Sequence, residues 1–136
     1  MKLEKERQII CGFAGIGKSY YAKNVAGVVD LESTPFNKNW DLYTDVAIHM
    51  QKNGYIPLVS CHKEVREMLY KKGANYVVVI PQLEDKQKYL DRYKKRGNNE
   101  VFIQMLDNNW KRFVEEIIEK EENIIVLEEG FLALNK

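Results

Sequence analysis

Gly12-Phe13-Ala14-Gly15-Ile16-Gly17-Lys18-Ser19 fits the pattern G-x-x-x-x-G-K-[ST] at each fixed position, and the remainder of the chain is organised around it. In a loop of this kind the glycines let backbone N–H groups turn inward around a polyphosphate, and the helix that follows adds its positive N-terminal end. Lys18 is placed to reach the β- and γ-phosphates as a point charge, and the Ser19 hydroxyl to ligate the magnesium that bridges them. Gly12, Ala14, Gly15, Ile16, Gly17, Lys18, Ser19 and Tyr20 are therefore the candidate ATP-binding residues, with Ser19 as the Mg2+ ligand. A chance Gly-rich turn would lack the flanks seen here. Gln8-Ile9-Ile10-Cys11 reads as a short buried strand before the loop, and Tyr20-Tyr21-Ala22-Lys23 continues a helix after it.

At 136 residues and 45% apolar composition, the chain suits one domain with a real core. Twenty-one basic residues against 20 acidic ones leave a formal charge of +1, which gives no global field for steering a long nucleic acid and fits a small charged ligand better. No apolar run approaches membrane-spanning length, and Met1-Lys2-Leu3-Glu4-Lys5-Glu6 lacks the apolar core of a signal peptide, so a cytoplasmic setting is expected. Cys11 and Cys61 have no C-x-x-C or His spacing and read as reduced, packed thiols.

Along the chain, apolar and β-branched runs predict strands at 27–30, 55–60, 76–80 and 123–127 after the first one. Asp30 ends the second strand. Because ligands of open parallel sheets bind beside the carboxyl ends of the strands, Asp30 is expected in the same crevice as the glycine-rich loop. An irregular loop follows from Leu31 to Asn39, then a helix over 40–52 with Trp40, Tyr43, Ala47 and Met50 on its apolar side. A third helix is predicted over 62–72, with Val65, Met68 and Leu69 inward and Gly73 as its stop. Two more run over 84–96 and 99–120 around Gly97-Asn98, the second with a stripe of Phe102, Leu106, Phe113 and Ile117. A short apolar tail, Phe131-Leu132-Ala133-Leu134, closes the chain. This alternation implies an α/β fold with a parallel sheet of about five strands and helices on both faces.

The loop, the acid at Asp30 and the stretch Tyr89-Leu90-Asp91-Arg92-Tyr93-Lys94-Lys95-Arg96-Gly97 together resemble the nucleoside-monophosphate kinase group of P-loop proteins over most of the chain. Asp30-Leu31-Glu32-Ser33-Thr34-Pro35-Phe36 and Ser60-Cys61-His62-Lys63-Glu64-Val65-Arg66 are also similar to small phage-encoded proteins described as nucleotide kinases or ATPases. The resemblance implies a three-layer P-loop NTPase fold with strand order 2-3-1-4-5, ATP and Mg2+ as cofactors, and phosphoryl transfer to a small nucleotide. It also implies an acceptor-binding loop and helix at about 31–53 and a lid at about 84–100 whose arginines, Arg92 and Arg96, close over the transferring group. Two features depart from the group. Ser60-Cys61-His62 stands where an acid commonly ends strand three, and no arginine lies between Arg7 and Arg66 to hold an acceptor phosphate.

Catalytic candidates are thus Lys18, Asp30, Arg92 and Arg96, and acceptor-binding candidates are Asp30, Glu32, Ser33, His62 and Arg66. His62 and Arg66 share a helix face by their i, i+4 spacing and form a candidate anion site, as do Arg92 and Arg96. Each has a plainer alternative: a cap at Asp30, a surface histidine at His62, a solvated basic helix face at Arg92 and Arg96. Trp40, Tyr43 and Trp110 read as core rather than as base-stacking surfaces. Asp30 also suits a hydroxyl acceptor, such as a nucleoside or the 5′ end of a polynucleotide, as the base that takes the proton. A third possibility is an ATPase or nucleotide-binding switch that acts on a partner.

Overall fold

Tyr76–Ile80, the most β-branched run of the chain, is buried at every position and forms β4, one of the two neighbours of the strand that leads into the glycine-rich loop. The computed structural model describes residues 8–128. Its parallel sheet has five strands: β1 (Ile9–Gly12), β2 (Val28–Asp30), β3 (Ile56–Ser60), β4 (Tyr76–Ile80) and β5 (Ile124–Val126), in the order β2-β3-β1-β4-β5. This is the expected 2-3-1-4-5 order and a P-loop-like topology. β1 lies at the centre with Cys11 beside Val59 on one side and Val78 on the other. The three inner strands read as continuous apolar runs because both of their faces are covered. The edge strand β5 is only partly buried.

Five helices connect the strands: α1 (Lys18–Asn24), α2 (Trp40–Lys52), α3 (Lys63–Lys71), α4 (Lys86–Lys95) and α5 (Glu100–Lys120). Right-handed crossovers put α1, which carries the chain from the central β1 out to β2, on one face, and α2, α3 and α5 on the other. Helix starts follow local chemistry. Asn39 and Asn99 each accept a hydrogen bond from the backbone N–H three residues on, at 3.1 Å from Leu42 and 2.8 Å from Phe102. Among the described residues no helix is long and apolar enough to cross a membrane. The apolar tail at 131–134 lies outside the described residues.

Two helix faces differ from expectation. In α5 the buried side chains are Ile103, Leu106, Trp110, Val114 and Ile117, while Phe102 and Phe113 are half-buried at the margin. Trp110 rotates the face: its ring packs edge-on against Phe13 at 5.3 Å, and its indole N–H donates to the Leu83 carbonyl at 3.0 Å. In α3, Arg66 is buried beside Val65 and Leu69, with Met68 only half-buried. Cys11 is buried and Cys61 partly so, both as free thiols. Burial pushes the Cys61 thiol up to about 11 and the Cys11 thiol in the same direction, so both stay protonated at neutral pH.

Candidate phosphate-binding site

The loop from Gly12 to Ser19 is shaped by where its apolar side chains go. Phe13 and Ile16 are buried, and the Phe13 N–H donates to Val79 at the end of β4 at 3.1 Å, so the loop starts flat against the sheet. A Cβ on Gly12 would lie 2.5 Å from Ile16 Cδ1 and 3.0 Å from Lys18 Cδ, so the Lys18 stem passes directly over that glycine. Gly15 and Gly17 both hold positive φ, 86° and 97°, and turn the backbone into α1. The first N–H groups of α1 have no acceptor inside the helix and face whatever the loop encloses.

Lys18 does not stand in solvent, as a lysine on an open loop would. Its ammonium folds back and donates to the Gly12 carbonyl at 3.0 Å. Burial lowers its pKa, against an opposing pull from the Cys61 and Asp30 side chains. Among the described residues no carboxylate comes within ion-pair distance of it. A partly buried cation bonded to one neutral carbonyl is electrostatically incomplete, and an anion beside it would regain the lost solvation. This fits a polyphosphate. Next to it, the Ser19 hydroxyl donates to Asp30 Oδ2 at 2.8 Å, which joins the start of α1 to the end of β2. The structure therefore brings Lys18, Ser19 and Asp30 to one edge of the sheet.

The second wall is built from the 31–43 segment. Glu32 is exposed and Ser33 half-buried ahead of a single 3-10 turn, Thr34–Phe36. The Tyr43 hydroxyl donates to the Leu31 carbonyl and accepts from the Ser60 N–H at 3.1 Å, so α2 holds the carboxyl ends of β2 and β3 in fixed relation. Ser60 Oγ is 2.8 Å from His62 Nδ1, and the His62 ring lies tilted against Trp40 with centroids 5.0 Å apart. Partial burial lowers the His62 pKa against the opposing pull of Glu64, with the positive charges of Lys18, Arg66 and Lys38 adding to the lowering.

Arg66 does not join His62 in an open anion site. Its guanidinium points inward, donating to Glu116 Oε1 at 2.6 Å, to Glu121 Oε2 at 3.0 Å and to the Cys61 carbonyl at 3.1 Å. The i, i+4 spacing with His62 is helical, but His62 caps α3 and faces outward while Arg66 is 3% exposed. The third wall is α4. Arg96 donates to Asn98 Oδ1 at 3.2 and 3.1 Å, lies 5.5 Å over the Tyr93 ring, and its charge reaches Lys18. Arg92 is half-buried on the same helix. Gly97-Asn98 closes α4 as a Schellman cap: φ is +84° at Gly97, whose N–H bonds Lys94, and the Asn98 N–H bonds Tyr93.

Tyr93 is a support of the loop that sequence reasoning passes over. Its hydroxyl donates to the Ala14 carbonyl at 2.6 Å, and a Cβ on Gly15 would come within 2.5 Å of its ring. The signal was a pair of tyrosines, Tyr89 and Tyr93, at helical spacing inside a basic run, where the charges draw the eye first.

No protein-family model and no curated protein matches this chain. Among solved structures, that of the Deinococcus radiodurans tunicamycin resistance protein is similar, with a TM-score of 0.56 and 15% identity, covering 88% of this chain and 86% of that one. The likeness is one of fold: an α/β architecture shared over nearly the whole of both chains.

Proposed function

We propose that this chain is a P-loop phosphotransferase that moves the γ-phosphoryl group of ATP, bound with Mg2+, to a small acceptor held between the 31–43 segment and His62. The observation that carries the reading is the Lys18 ammonium, partly buried, turned onto the Gly12 carbonyl and unpaired with any carboxylate among the described residues. Lys18 and the loop N–H groups bind and orient the phosphates, with the Ser19 hydroxyl as the metal ligand and Asp30 behind it. The metal, when bound, would supply charge neutralisation to the phosphates. Arg92 and Arg96, within α4 and at its C-cap, are the groups to stabilise charge on the transferring phosphoryl. The family resemblance makes a nucleotide the acceptor; a hydroxyl acceptor, including a polynucleotide 5′ end, is the alternative, and an ATPase module without acceptor the third.

Lys18→Met tests the reading. Circular dichroism should be unchanged, because the side chain's one hydrogen bond is to a carbonyl on its own loop. MgATP affinity and ADP release should both collapse. A folded variant with native affinity and turnover overturns the assignment.

A further inference from the structure

In a trans peptide the carbonyl oxygen and the N–H that follows it point in opposite directions, so whatever holds one aims the other. The peptide between Ala14 and Gly15 is held from outside its own loop. Its carbonyl oxygen accepts the Tyr93 hydroxyl at 2.6 Å, across 79 residues of sequence. Burial raises the pKa of that hydroxyl above the ordinary tyrosine value, so it keeps its proton and donates. The ring that carries it is fully buried and packs edge-on against two others, Tyr89 at 6.3 Å and Phe102 at 5.5 Å. With the oxygen turned to α4, the Gly15 N–H is turned away from it. Gly15 is buried, and among the described residues no acceptor meets that N–H. A donor left open in a buried residue costs free energy, and an oxygen of a bound ligand would satisfy it. Nothing in Gly15 itself holds this orientation. A glycine takes either sign of φ, so rotation about Ala14 ψ together with Gly15 φ, now +86°, would turn the peptide over. The carbonyl oxygen would then stand where the N–H stands and repel a phosphate that the N–H would bind.

We propose that Tyr93 is a positioning residue for the phosphate loop: by holding the Ala14 carbonyl it keeps the Gly15 N–H turned towards the polyphosphate, as one of the donors that bind it. This rests on the phosphotransferase reading above and adds to that site a residue from outside the motif. The hydroxyl does not touch the ligand. It acts through one peptide, and its removal leaves the loop free to flip rather than unfolded. Phenylalanine in its place keeps the ring against Gly15 and under the Arg96 guanidinium, which lies 5.5 Å from its centre, so only the hold on the carbonyl is lost.

The test is Tyr93→Phe in the full chain, beside Tyr76→Phe, which loses a tyrosine hydrogen bond of the frame, the 3.0 Å contact to Glu121, at the start of β4 and away from the loop. MgATP dissociation constants are measured directly on each variant once circular dichroism shows it folded. Tyr93→Phe should raise the constant about tenfold, the worth of a hydrogen bond and of the carbonyl it leaves open, while Tyr76→Phe leaves it native. In the native chain the Gly15 amide proton resonance should move downfield on addition of MgATP, the direction of a new hydrogen bond, which a role in packing alone would not produce. A rise of less than about threefold in Tyr93→Phe, an equal rise in Tyr76→Phe, or a Gly15 amide that does not move downfield overturns the proposal. Failure of the native chain to bind MgATP defeats the underlying reading instead, so the two failures are told apart.

Discussion

At Gly15 two demands meet that no other residue type satisfies. The backbone sits at φ +86°, and the space where a Cβ would stand is occupied by Tyr93 Cε1 at 2.5 Å. Gly15→Ala should therefore lose about 2–4 kcal/mol, from a left-handed backbone penalty of about 1–2 and an overpacking cost of similar size. A fall in the urea midpoint with an unchanged slope would show it; a native midpoint would mean that Tyr93 swings aside without penalty. Gly15 was legible in sequence as a residue that lets backbone approach a phosphate. Its second partner was not, because a contact with Tyr93 depends on how α4 lies over the loop. Lys18, Ser19 and Asp30 were legible as a group, since a motif fixes the first two and the strand-end rule places the third. Arg66 was not, because spacing tells which face of a helix a residue shares and not which carboxylates that face meets.

Among the elements, α4 forms within the expected 84–96 span. The family resemblance implied a lid over about 84–100 whose arginines, Arg92 and Arg96, close over the transferring group. What forms is a short helix with Tyr89 and Tyr93 buried, a Schellman cap at its end, and one hydroxyl bonded to the phosphate loop. Arg92 lies within α4 and Arg96 at its C-cap. Arg92→Lys/Arg96→Lys keeps both charges and loses both forks, so kcat should fall far more than ATP affinity does. Steady-state rates beside directly measured ATP dissociation constants decide this, and normal turnover in the double variant would make the pair a solvated helix face. The strands and the ends of α2 and α3 were legible to within about two residues because apolar runs and glycine stops mark them. In α5, Leu106, Trp110 and Ile117 were legible as core, while two phenylalanines at helical spacing drew the stripe to Phe102 and Phe113 in place of their buried neighbours Ile103 and Val114.

On the scale of the whole molecule, one buried ionic cluster ties α3 to the far end of α5. Arg66 reaches Glu116 and Glu121, and Glu121 also accepts from the Tyr76 hydroxyl at 3.0 Å, at the start of β4. Removing one partner of such a set leaves charge without compensation, so Arg66→Met should destabilise by roughly 3 kcal/mol. If its role is in the frame alone, KM for the acceptor should not change in the folded fraction; a raised acceptor KM would return Arg66 to the binding wall. The fold class was legible because alternating strand and helix patterns leave few topologies, whereas the strand order was an expectation carried by the family resemblance alone. The cluster was not, for it spans residues 55 positions apart. The hydroxyl of Tyr93 closes a separation of 79 residues to the Ala14 carbonyl, and β1 finds its two neighbours only in β3 and β4. Synthesis runs the other way. A ribosome delivers the whole glycine-rich motif first and must then make some 75 further residues before Tyr93 emerges, and more before Trp110 can pack on Phe13, so the nascent chain carries its nucleotide signature long before it has a cradle.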